Sequence, residues 1–169
     1  MVKQAPLPLS LVSAIEREGL GPVRDGLAGV DTVTQAPLRP EDGTVAAVAE
    51  TLLPDNPVAA LSGPSFAADV VRGLPTALTL AMPEQEMAQS LAVALSGEAI
   101  RLYASDDTVG VQIGGSLKNV MAIAVGICRG GGMGASAEAA LITRGYAELV
   151  RLGVPMGARS ETLMGLSGL

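Results

Sequence analysis

The chain has 169 residues, and its 17 acidic against 11 basic side chains leave a net charge of −6, which offers no basic footprint for nucleic acid. One Phe, two Tyr and no Trp also leave no platform for base stacking, and the absence of histidine excludes a Ser-His-Asp triad, a Cys-His pair and a histidine-bearing zinc site, so no metal is expected. A single cysteine excludes an internal disulfide, while 49% apolar content is enough to build the core of one domain or two small ones.

Residues 1–43 read as a weakly organised, unassigned segment. Pro6, Pro8, Pro22, Pro37 and Pro40 separate short apolar pieces, of which 9–18 fits one short helix. The first residues lack the continuous apolar stretch of a signal peptide, and with Cys128 set in an apolar run this points to a reducing cytoplasm. From Thr44 the texture alternates. Helices are expected over 45–53, 65–72 and 84–96, with strands over 57–62, 76–81 and 100–104, the pattern of a sheet covered by helices. Beyond Asp106 the pattern is helical, with helices over 108–127 and 135–152 flanking the RGGGMG loop and a third starting at 160–164. A domain boundary is therefore expected between Ser105 and Asp106.

The helix over 108–127 holds one charged side chain, Lys118, among apolar residues and glycines. Such an ammonium must reach water, pair with an anion or lose its proton, and a lysine of lowered pKa is a useful acid or base. A lysine whose stem lies over apolar neighbours with its head in water is the ordinary alternative. A membrane span is disfavoured, because a lysine at its centre costs about 2.5–3.5 kcal/mol on insertion scales. A buried soluble helix is the better reading.

Two short motifs accompany it. In LSGPSFA, Gly63, Pro64 and Ser65 follow a strand and open a helix, so backbone N–H groups and the Ser65 hydroxyl would face an anion; an ordinary cap with proline in the first turn explains the same residues. The glycines of 130–134 formally fit a dinucleotide fingerprint, but that motif needs a preceding strand and this loop follows a helix, so it reads as a helix connection. Arg144 and Glu148, with Glu138 and Arg151, read as a solvated helix face unless the fold turns Arg144 inward.

The strings LSGPSFAADVVRGLPTALTLA, VGVQIGGSLKNVMAIAVGI, AALITRGYAELVRLG and ETLMGLSGL, in this order, resemble the middle of bacterial NAD(P)-dependent glycerol-3-phosphate dehydrogenase, over roughly residues 44–169. The resemblance implies an α/β then all-α chain: a partial Rossmann-type NAD(P)-binding domain at 44–106, being the C-terminal part of that fold, then the beginning of a helical substrate-binding domain at 107–169. It further implies interconversion of sn-glycerol 3-phosphate and dihydroxyacetone phosphate with NAD(P)H, which supplies the glycerophospholipid backbone. Lys118 would be the catalytic lysine, Gly63 and Ser65 would contact substrate, Ala67 would approach the nicotinamide cofactor, and Asn119 would be an additional ligand to the reacting oxygen.

The sequence also departs from the family. No glycine trio follows a strand near the amino terminus, no Lys-Gly pair stands in QAPLRPED, and Ser136 and Arg129 occupy positions where Asn and Asp are expected. An incomplete form of the enzyme is the first expectation. A catalytically inactive divergent fragment and a related β-hydroxyacid-type reductase are the alternatives. A part-covered sheet would leave apolar faces open, so aggregation or a homo-oligomer is expected.

Overall fold

The computed structural model describes residues 9–12, 30–31 and 44–166. Its five-stranded sheet comprises β1 (Leu9–Val12), β2 (Val30–Asp31), β3 (Val58–Ser62), β4 (Thr76–Ala81) and β5 (Ile100–Ser105), in the order β2-β1-β3-β4-β5. Neighbours are parallel except β3 and β4, which run antiparallel with Leu61 opposite Leu80.

The helix expected over 9–18 is corrected where it can be compared. Residues Leu9–Val12 form a strand, with Leu11 opposite Ala59 of β3, because ladder hydrogen bonds from a neighbouring strand outweigh a weak local helical preference. Residues 13–18, the five prolines of the first segment and the QAPLRPED string lie outside the described residues.

Beyond Thr44 each expected element is present. Helix α1 (Val45–Leu52) starts where the Thr44 hydroxyl accepts the Ala47 N–H, as an N-cap does. Helix α2 (Ala67–Val71) is shorter than expected, because Phe66 is still extended and Gly73 takes a left-handed φ of 70° just past its end. Helix α3 (Gln85–Leu95) precedes β5. Helix α4 (Thr108–Gly130) runs beyond residue 127, and α5 (Ala135–Gly153), a 3-10 turn (Val154–Met156) and α6 (Ser160–Met164) follow.

Strand alternation divides the core. Leu78, Leu80, Met82 and Leu102 meet Ala88 and Ala92 of α3 on one face, whereas Ala60 and Ala81 meet Val111 of α4 on the other. Val58 shares the second face and packs on Ala46 and Ala49 of α1. Gln112 joins the two helices there: its side-chain oxygen accepts the Ala46 N–H at 2.8 Å while its amide donates to the Thr108 carbonyl at 2.9 Å. A separate helical core gathers Ile113, Leu149, Ala158 and Leu163. Helices α4 and α5 approach closely, since a Cβ on Gly145 would lie 1.8 Å from the Met121 Cε. Among the described residues α4 alone is long and apolar enough to cross a membrane, yet its Val111 face lies on the sheet.

Candidate functional site

The site begins with how α4 is started. Asp107 is buried, and its Oδ1 accepts the Gly110 N–H at 2.8 Å while its Oδ2 accepts the Arg159 N–H at 2.9 Å. This N-cap fixes the direction of α4, and positions four and seven residues beyond Val111 then point at the end of β3. Gly115 is the first of these positions. It stands against Ser62, and a Cβ there would lie 2.5 Å from the Ser62 Oγ. Lys118 is the second.

The Lys118 Nζ donates to the Gly63 carbonyl at 2.5 Å and to the Ser62 Oγ at 3.3 Å. The ammonium is half-buried, and that burial pushes its pKa below the ordinary 10.5. Among the described residues it forms no ion pair. The sequence required water, an anion or proton loss for this charge, and the fold supplies two neutral oxygens, with the pKa displaced toward proton loss.

Gly63 is buried at the point where β3 ends. A Cβ on it would lie 2.8 Å from the Ala77 carbonyl oxygen and 2.9 Å from the Leu78 Cα, so close strand packing requires glycine. The same Gly63 carbonyl that accepts from Lys118 also accepts the Ser65 N–H at 2.9 Å, which brings Lys118, Gly63 and Ser65 together. The expectation that Ser65 opens a helix is corrected. The N-cap is Phe66, without a side-chain cap, and the five-residue α2 begins at Ala67. The turn closed by Ser65 commits its N–H to the Gly63 carbonyl and leaves the Ser65 hydroxyl uncommitted among the described residues. Of Ala67 only the backbone is described. Asn119 is exposed, one helical step away from the Lys118 direction, and its side chain makes no hydrogen bond among the described residues.

Ser62 was not singled out from the sequence, although it touches both Lys118 and the Gly115 backbone position. The available signal was its place directly before Gly63. Arg144 does not turn inward: it is exposed and pairs with Glu148 at 2.9 Å. Gly132 and Gly134 take left-handed φ values of 69° and 84°, which suits a tight helix connection between α4 and α5. Cys128 is buried. Among the described residues no cluster of three His, Cys, Asp or Glu side chains could hold a metal. A cavity of about 540 Å³ lies beside Thr79, Tyr103, Ser105 and Arg159, with Lys118 outside its lining.

Sheet, helices and site together define a Rossmann-type α/β part followed by a helical part, with a half-buried lysine on the helix that joins them. Residues 39–88 match the family model for the NAD-dependent glycerol-3-phosphate dehydrogenase N-terminus, and residues 107–169 match that for its C-terminus. The chain belongs to the NAD-dependent glycerol-3-phosphate dehydrogenase family. It is 59% identical over 125 residues to a glycerol-3-phosphate dehydrogenase [NAD(P)+] of Mesorhizobium japonicum, which covers 74% of this chain and 36% of that protein. The corresponding protein of Brucella ovis is 60% identical over 122 residues, covering 72% and 37%. The chain thus spans little more than a third of the length of these curated relatives. Among solved structures, the glycerol-3-phosphate dehydrogenase of Coxiella burnetii superposes with a TM-score of 0.71 at 41% identity, covering 82% of this chain and 42% of that one. That of Plasmodium falciparum superposes at 0.70 and 20% identity, covering 82% and 40%, and speaks for the fold.

Proposed function

We propose that this chain carries the lysine-centred part of an sn-glycerol-3-phosphate dehydrogenase active site, interconverting sn-glycerol 3-phosphate and dihydroxyacetone phosphate with NAD(P)H in the cytoplasm and so supplying glycerophospholipid precursors. The observation that carries this reading is the half-buried Lys118 held at the Gly63 turn.

A lysine ammonium has three N–H donors, and two of them are engaged by Gly63 and Ser62. The third is left for a substrate oxygen. As a ketone is reduced, that N–H stabilises the developing alkoxide and delivers its proton; in reverse, the neutral amine accepts the proton of the substrate hydroxyl. A depressed pKa brings both steps closer to neutral pH. Gly63 and Ser65 bind substrate beside the lysine, and Asn119 is a further ligand to the reacting oxygen.

The nicotinamide, when bound, supplies the hydride. The described residues suit only its reacting end, which Ala67 would approach. The Gly63 turn brings backbone close to the lysine, but residues 13–19, which follow β1 in sequence, contain no glycine trio for a pyrophosphate. No step is therefore assigned to the phosphate-binding end. In domain terms we place 44–106 in the nucleotide-binding part and 107–169 in the substrate-binding part, the change falling at the Asp107 cap. The open apolar side chains of α4 favour self-association.

The test is NADH and NADPH oxidation by the purified chain with dihydroxyacetone phosphate, beside Lys118→Ala. Turnover that disappears in the variant supports the reading. Turnover equal in both removes Lys118 from the chemistry, and none in either favours a relative unable to bind cofactor, as the sequence after β1 suggests.

A further inference from the structure

Lys118 reaches its place through two features of the fold that work together. One is the hydroxyl of Ser62, the last residue of β3, whose Oγ accepts from the Nζ at 3.3 Å. The other is Gly115, one turn before the lysine, whose missing side chain leaves the space in which the Ser62 Oγ lies. A methyl group at 115 would come within 2.5 Å of that oxygen and drive the serine out of its rotamer. The two residues form a unit: a strand-end hydroxyl presented to an ammonium, and a glycine that permits it.

We infer that Ser62, with the space provided by Gly115, is the positioning residue of Lys118, holding its ammonium so that one N–H is left to face substrate. This rests on the reading of Lys118 as the acid–base group. The chemistry of the surroundings leaves the ammonium to two neutral acceptors, the Gly63 carbonyl and the Ser62 hydroxyl, of which only Ser62 contributes a side chain. Strands β3 and β4 carry no titratable side chain. Of the charged groups on the helices packed with α4, Arg129 pairs with Glu138, Arg144 and Arg151 pair with Glu148, and Arg159 pairs with Asp106. Glu50 of α1 and Glu161 of α6 form no ion pair with the lysine among the described residues. Burial is accordingly what depresses the lysine, and hydrogen bonding to a charged form favours that form. Ser62 accepts from the charged form, so its removal lets burial act less opposed and the pKa falls further.

The chain has two lysines, Lys3 and Lys118, so ε-carbon-13-labelled lysine gives two resonances, with Lys3 as the internal reference and Lys118→Arg to assign them. Titration of the wild-type chain, Ser62→Ala and Gly115→Ala is expected to move the Lys118 pKa downward in both variants while Lys3 stays in place. In a catalytically competent chain, kcat falls about tenfold with KM little changed, as lost orientation predicts. A Lys118 pKa unchanged in a folded variant overturns the proposal, and Gly115→Ala decides the matter if Ser62→Ala fails to fold. The resonance reports on Ser62 whether or not the chain turns over. Turnover that survives Lys118→Ala would instead sink the catalytic reading and leave this measurement intact.

Discussion

One carboxylate, that of Asp107, caps two elements that lie 52 residues apart: its Oδ1 takes the Gly110 N–H of α4 and its Oδ2 the Arg159 N–H just before α6. The helix that bears Lys118 and the helix that closes the second core are therefore set by the same buried group. Asp107→Ala removes a cap, worth about 0.5–2 kcal/mol, and leaves the Arg159 N–H without its acceptor, at about 1–3 kcal/mol. We expect a loss of about 2–4 kcal/mol in urea unfolding. Asp107→Asn retains an acceptor oxygen and should lose less. Equal losses in the two variants would show that charge, and not capping geometry, is what matters.

The two sides of the glycine question separate cleanly. At Gly63 a Cβ would sit 2.8 Å from the backbone oxygen of Ala77, an atom that cannot rotate away, so Gly63→Ala should destabilise by about 1–3 kcal/mol. At Gly126, inside α4, a Cβ meets nothing within 4 Å, so Gly126→Ala should stabilise by up to about 1 kcal/mol through helix propensity. Thermal melts of both variants check the pair. A stable Gly63→Ala would mean that β3 and β4 can separate more easily than their packing indicates.

The pH dependence of stability has a definite sign. Lys118 has a lower pKa folded than its ordinary 10.5, so between the two values the unfolded chain binds more protons and stability rises with pH. The burial penalty on the cation is felt throughout the lower range and is relieved as pH climbs through the folded pKa. Denaturation midpoints of the wild type and Lys118→Met should therefore converge or cross as pH increases from about 7 to about 10.5, the wild type gaining relative to the variant. A constant difference between them would show that burial does not act on this ammonium.

Much of this was legible in the sequence, for reasons that differ by element. The pieces after Thr44 have clear periods, and Thr76–Ala81 begins and ends where its β-rich residues do. Lys118 stands out because it is the one charge between Thr108 and Cys128. Leu9–Val12 is not legible as a strand because that character comes from pairing with β3, whose partner residues lie 48 positions later (Ser10 with Val58) and which local propensity does not contain. Ser62 was missed for a related reason. A serine at a strand end is ordinary, and only its position against Gly115 and Lys118, 53 and 56 residues later, gives it a role. Asn119 is legible only as the neighbour of Lys118, one step further around the same helix.

The second half of α4 leads to a last expectation. Val120, Ile123 and Ile127 are 61–66% exposed and repeat at three- and four-residue intervals, so they form one apolar stripe along the helix, with Met133 exposed in the loop beyond. Water-facing stripes of this kind drive association. Sedimentation of the wild-type chain should show concentration-dependent self-association, and Ile123→Glu, placed in the middle of the stripe, should reduce it while leaving helix content unchanged. The Lys118 face of α4 lies on β3 and is untouched by that substitution, so the Lys118 resonance serves as the control. Association that persists unaltered in Ile123→Glu would place the contact elsewhere, with Phe66 and Val93, 75% and 78% exposed, as the next side chains to change.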